Sequence, residues 1–158
     1  MAHVRAVRRS RRVLGSTLVL VVAASLTGCS LMYTLFGTGD LYNLKPGDCF
    51  NEVFVDDTER VVDAVSIVGC AEEHEYEVTA AVPIPGAAFP GDDAVEAMAK
   101  EKCLEAIISY VGPGAYADFG YNAYVPSTDS WIARKHTIQC LAYGIDGRTT
   151  GSSKDVGR

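Results

Sequence analysis

Arg5, Arg8, Arg9, Arg11 and Arg12 open the chain, and no charged residue then occurs from Val13 through Phe36. Beyond that point apolar and polar positions follow two periods. Lys45-Pro46-Gly47-Asp48 is a turn signal, after which Cys49 to Val55 reads as a strand. The polar turn Asp56-Asp57-Thr58-Glu59-Arg60 separates it from a second strand, Val61 to Val68, rich in β-branched residues. From Glu75 to Val82 the period is two. Tyr76, Val78, Ala80 and Val82 are expected on one buried face, with Glu75, Glu77 and Thr79 on the solvated one.

The period changes after the proline-rich loop from Pro83 to Pro90. Val95, Met98, Ala99, Cys103, Ala106, Ile107 and Tyr110 recur at helical spacing, with Glu101, Lys102 and Glu105 opposite them. Asp93 and Glu96 have the spacing of a capping box, and Gly112-Pro113-Gly114 stops the helix. Ala115 to Thr128, rich in glycine and tyrosine, offers only a short strand at Asn122 to Val125. His136 to Ile145 is a final strand with Ile138, Cys140 and Ala142 on one side. The expected fold is α+β, a small and mostly antiparallel sheet covered by one main helix, spanning residues 45–146. Residues 147–158 read as a polar, disordered tail.

The arginine-rich start and the apolar run have the layout of a secretory signal peptide, residues 1–28. At its end Leu26-Thr27-Gly28-Cys29 looks like a bacterial lipobox, in which the Cys29 thiol is alkylated and the chain cut just before it. Two acyl chains would give stable anchoring where one would be marginal. Residues 29–44 then form a lipidated tether whose apolar residues could lie at the membrane interface or pack on the domain. A membrane-spanning anchor is the competing reading, since the uncharged run exceeds the roughly 20 residues needed to span a bilayer. Ser16, Thr17, Ser25, Thr27, Gly28 and Ser30 dilute that run and favour the lipoprotein. Either reading places the domain at the extracytoplasmic face of the cell membrane.

Charge divides at the same point. From Cys29 onward nine Lys and Arg face twenty Asp and Glu, a net charge of −11, which argues against nucleic acid as a partner. With Cys29 lipidated, Cys49, Cys70, Cys103 and Cys140 remain in an oxidising compartment, where an even set reads as disulfides. Cys49 opens the first strand and Cys70 closes the second, so an antiparallel hairpin would bring them together. Cys103 lies on the inward face of the helix and Cys140 lies centrally in the last strand. Cys49–Cys70 and Cys103–Cys140 are therefore the expected pairs, with Cys49–Cys140 open if the first and last strands are neighbours.

Candidate chemistry is sparse. Glu72-Glu73-His74-Glu75-Tyr76-Glu77 is the densest polar cluster, but in a strand His74 and Glu77 point to opposite faces and could not share a metal without a bulge. A structural histidine among solvated glutamates is the expected state. No Gly-x-Ser-x-Gly elbow or phosphate loop occurs, so no catalytic residue, metal or cofactor is assigned. Trp131, preceded by Tyr116, Tyr121 and Tyr124, closes the core or presents a recognition patch.

Residues 45–143 resemble the septum formation family of actinobacterial envelope proteins. The resemblance rests on Gly47-Asp48-Cys49-Phe50, on Cys70 followed by His74 and Glu77-Val78, on Cys103, and on Pro126, Trp131 and Cys140-Leu141. Glu73 stands where the family often has Pro, and Ala133-Arg134-Lys135 where it often has Gly-Asp-Arg. The resemblance implies a link to cell division and no defined reaction. The expected function is a non-enzymatic envelope lipoprotein that binds a protein or glycan, with His74, Glu77 and Trp131 as candidate binding residues. The alternative is a wall-acting enzyme or metal protein built on the His74 cluster.

Overall fold

The computed structural model describes residues 37–54 and 62–158. Cys29, the signal peptide and the polar turn at Asp57 lie outside the described residues. No helix among the described residues is long and apolar enough to cross a membrane.

The strands are β1 (Gly37–Gly39), β2 (Cys49–Phe54), β3 (Val62–Val68), β4 (Tyr76–Pro83), β5 (Phe119–Tyr124) and β6 (Thr137–Gly144). They form one sheet in the order β1-β3-β2-β4-β6-β5, antiparallel throughout. The helices are α1 (Asp92–Val111) and the single turn and a half of α2 (Thr128–Ile132). The fold is thus the α+β arrangement expected, with α1 as the main helix.

In α1 the residues Val95, Ala99, Cys103, Ile107 and Val111 recur every four positions and are buried. They meet the inward side of β6, where Ile138, Cys140 and Ala142 are buried. Cys103 bonds to Cys140 across this interface, with Cα atoms 5.0 Å apart. On the neighbouring hairpin Cys49 pairs with Val68, which leaves Cys49 and Cys70 at a Cα separation of 5.2 Å, bonded to each other. Asp93 does not cap α1. Gly91 holds that place at φ 95°, a conformation that favours glycine. Asp92 and Asp93 instead lie in the first turn, where their charge opposes the positive end of the helix dipole.

Three further readings are resolved or corrected. The first is the tether, open between lying at the membrane interface and packing on the domain. Residues 37–44 pack on the domain, ahead of its expected start at residue 45: β1 pairs with β3, and Leu41 and Leu44 bury against Phe50, Val65, Val78 and Leu141 on the sheet face away from α1. Leucines beside an open apolar sheet face gain more by covering it than by staying in water. Polar ties hold the segment there, with Lys135 on Asp40 at 2.6 Å, the Tyr42 hydroxyl donating to Val125 O at 3.0 Å, and Gln139 Nε2 donating to Leu44 O at 3.2 Å.

The second correction concerns the alternation in β4. Register shifts between Val78 and Ala80 against β6, so Thr79 is an extra residue and the strand changes face there. Tyr76 and Val78 pack on the Leu41–Leu44 side, whereas Ala80 and Val82 pack on the α1 side. Glu77 and Thr79 are buried rather than solvated.

The third correction concerns residues 147–158, which are packed in place. Thr149 forms a bridge with His74, and Asp155 N and Gly157 N donate to Tyr110 O and Val111 O, both at 2.9 Å. Arg158 Nη2 donates to Ser109 O at 2.8 Å, and Gly112 N donates to Ile108 O at 3.1 Å. The last four carbonyls of a helix have no intrahelical partner, and here this strap supplies three of the four donors. A side chain at Gly157 would place its Cβ 2.5 Å from Ala115 N, so the close approach requires glycine.

Candidate functional site

His74 and Glu77 converge, contrary to the expectation of opposite faces, because β4 begins only at Tyr76 and His74 sits before it in its own bridge. One ligand-type atom from each of Cys49, His74 and Glu77 lies within 4.8 Å of the others. The set is chemically committed. Cys49 Sγ is bonded to Cys70 and offers no thiolate. His74, 1% exposed, places Nδ1 2.9 Å from Glu72 O and Nε2 3.2 Å from Thr149 Oγ1. Glu77, 2% exposed, accepts four hydrogen bonds: from the Tyr110 hydroxyl at 2.8 Å, and from Ser152 Oγ, Ser153 N and Ser153 Oγ, each at 2.6 Å. Burial, and then the bond to Glu77, push the Tyr110 hydroxyl well above the usual phenol range. The cluster is a clasp that holds the 149–158 strap to β4 and α1.

Trp131 is 6% exposed. Its indole stacks on His136 with centroids 3.7 Å apart, meets Phe89, and donates Nε1–H to Ala87 O at 3.3 Å. It closes one end of the α1-side core. The three tyrosines before it do not gather into one patch with it: Tyr121 packs on the α1 side, Tyr124 on the opposite side, and Tyr116 is exposed. His74, Glu77 and Trp131 are thus all buried in this conformation.

An accessible arrangement of aromatic and charged groups lies on the sheet face away from α1. Glu52, Glu75, Tyr76, Tyr143, Gly144, Gly147 and Arg148 line a cleft of about 360 Å³. Phe50 stacks beneath Tyr76 at 5.6 Å, and Tyr143 and Tyr124 meet Tyr76 edge-on. Tyr143 pairs across the ladder with Gly120, and a Cβ at Gly120 would fall 2.2 Å from the Tyr143 ring. The Tyr143 ring therefore lies over the glycine, and the residue, 37% exposed, lines the cleft.

The polar groups of the cleft are ordered. Glu75 accepts from Arg148 Nη2 at 2.7 Å and from Glu52 N at 2.8 Å. The Tyr124 hydroxyl donates to Glu52 Oε1. Burial, and then Glu52, hold the Tyr124 hydroxyl protonated far above its ordinary range, and the same two causes raise Tyr76. Glu52, Tyr143 and Arg148 were not singled out from the sequence. The alternation in the last strand does place Tyr143 with Gln139 and Leu141, away from the helix, but its platform role depends on the register with Gly120.

A family model described as septum formation matches residues 42–151, which include both disulfides, the clasp histidine and every residue of the cleft. No curated protein and no solved structure matches.

Proposed function

The chain belongs to the septum formation family, and on that premise we propose that it is an envelope lipoprotein binding a partner protein or glycan in septum formation or envelope assembly. Acyl chains on Cys29 hold it at the outer face of the cytoplasmic membrane, and it works by binding rather than by catalysis. The family match carries this reading. Two features support it further. Disulfides persist outside the reducing cytoplasm, and the domain holds two. The residues best suited to general acid–base work, His74 and Glu77, are engaged in holding the strap.

Intact-mass analysis of the membrane fraction tests the anchor. The wild type should begin at Cys29 and carry the lipid, and Cys29→Ser should remain uncleaved and unlipidated because serine offers no thiol to alkylate. A wild-type species that begins at Met1 without lipid refutes it. Crosslinking in intact cells followed by capture of the chain should recover an envelope-assembly or division component. Turnover of purified wall material by the purified chain would overturn the non-enzymatic reading.

A further inference from the structure

We propose that the cleft between Glu52, Tyr76 and Tyr143 binds small ligands through an ammonium group, as on a lysine-like side chain or an amino sugar. The proposal goes beyond the septal reading and stands without it.

The geometry comes first. Tyr143 packs over Gly120, and Tyr76, braced by Phe50, meets it edge-on at 76°, so that both line the cleft. Two fixed aromatic walls at a steep angle leave a corner that a compact cation fills well, because each ring carries negative charge on its face. The rings lose little freedom on binding, since packing has already ordered them.

Charge selects the ligand. Arg148 compensates Glu75 at 2.7 Å. Glu52 has no basic partner among the described residues, and its hydrogen bond comes from the neutral Tyr124 hydroxyl. A half-buried carboxylate with one neutral donor gains from a cation placed beside it, more so than a solvated one. The cleft thus offers one carboxylate without a basic partner among the described residues, beside two aromatic side chains, on a chain segment of net charge −11. The one cation in the lining, Arg148, is already paired with Glu75, so an anionic group gains less there.

The full chain in detergent micelles, isotopically labelled for amide NMR, provides the test. The probes are Nα-acetyl-lysine amide, the neutral analogue Nα-acetylnorleucine amide, and N-acetylglucosamine, which carries no charge. The lysine probe should shift the amides of Glu52, Tyr76 and Tyr143 at millimolar concentration, and added salt should weaken it. Glu52→Gln and Tyr143→Leu should each weaken it ~tenfold. Glu52→Gln keeps the shape of the site and Tyr143→Leu removes one aromatic wall, and unchanged spectra elsewhere in the sheet establish that both fold. Equal response to norleucine, unchanged affinity in Glu52→Gln, or no shift with any probe overturns the proposal. A stronger response to N-acetylglucosamine also overturns it and makes the cleft a saccharide platform. None of these results bears on lipidation at Cys29, so the two readings fail separately.

Discussion

Glu72, Glu73, Glu75 and Glu77 stand within six residues of one another, and the fold makes them unequal. Glu73 is exposed and makes no hydrogen bond among the described residues. Glu77 is buried and accepts from four donors, two of them on buried Ser153. Glu77→Ala leaves Ser153 N and Oγ inside the protein without an acceptor. Each orphaned buried donor costs about 1–3 kcal/mol. The Tyr110 and Ser152 hydroxyls can turn toward water, so their loss is smaller, and water entering the vacated space sets the low end. The expected destabilisation is about 3–5 kcal/mol, whereas Glu73→Ala should stay within about 0.5 kcal/mol. Urea unfolding of the oxidised protein measures both. With a slope of about 1.5 kcal/mol per molar, the midpoint of Glu77→Ala should fall by about 2–3 M. A shift no larger than that of Glu73→Ala would refute the clasp.

Two further outcomes follow from the same contacts. In hydrogen-exchange experiments the amides of Asp155 and Gly157, bonded to Tyr110 O and Val111 O, should exchange as slowly as sheet amides; exchange at the rate of an unstructured peptide would restore a loose tail. The raised Tyr110 and Tyr124 hydroxyls keep protons in the fold that the unfolded chain releases near pH 10.0. Their contribution to stability is therefore fully present below pH 10.0 and is lost as pH rises from there through the folded values. Tyrosine absorbance titrated upward should show these two ionising only with unfolding, and smooth ionisation of all tyrosines in a folded protein would contradict their burial.

What could be read in advance were features that a short window of residues decides. A run such as Val95, Ala99, Cys103 and Ile107 states its own period, and its burial against Ile138 and Cys140 follows from having one apolar face to hide. Both cysteine pairs were legible for the same reason, since each needs only two neighbouring elements and the direction in which they run. The polarity of residues 147–158 was visible too, but composition alone does not distinguish a solvated serine from one that meets a buried carboxylate. Ser152 and Ser153 acquire their role only from Glu77, 75 and 76 positions earlier.

Parity along the strand places Glu77 in solvent, and the reason it does not hold is physical. Period-two alternation assigns a face only relative to an uninterrupted strand, and it takes one face to be wet. Here both faces of β4 are covered, by α1 on one side and by Leu41 and Leu44 on the other. The bulge at Thr79 then exchanges the faces partway along. The bulge is fixed by pairing with Leu141 and Cys140, some sixty residues away, so the residues around Thr79 carry no local signal of it. The cleft has the same origin. Glu52 comes from β2, Tyr76 from β4, Tyr143 from β6, and the glycine that levels Tyr143 from β5. Four strands must be in register before an ammonium-sized corner exists, which is why the buried His74 cluster, dense in one short segment, drew attention from the sequence while the open site did not.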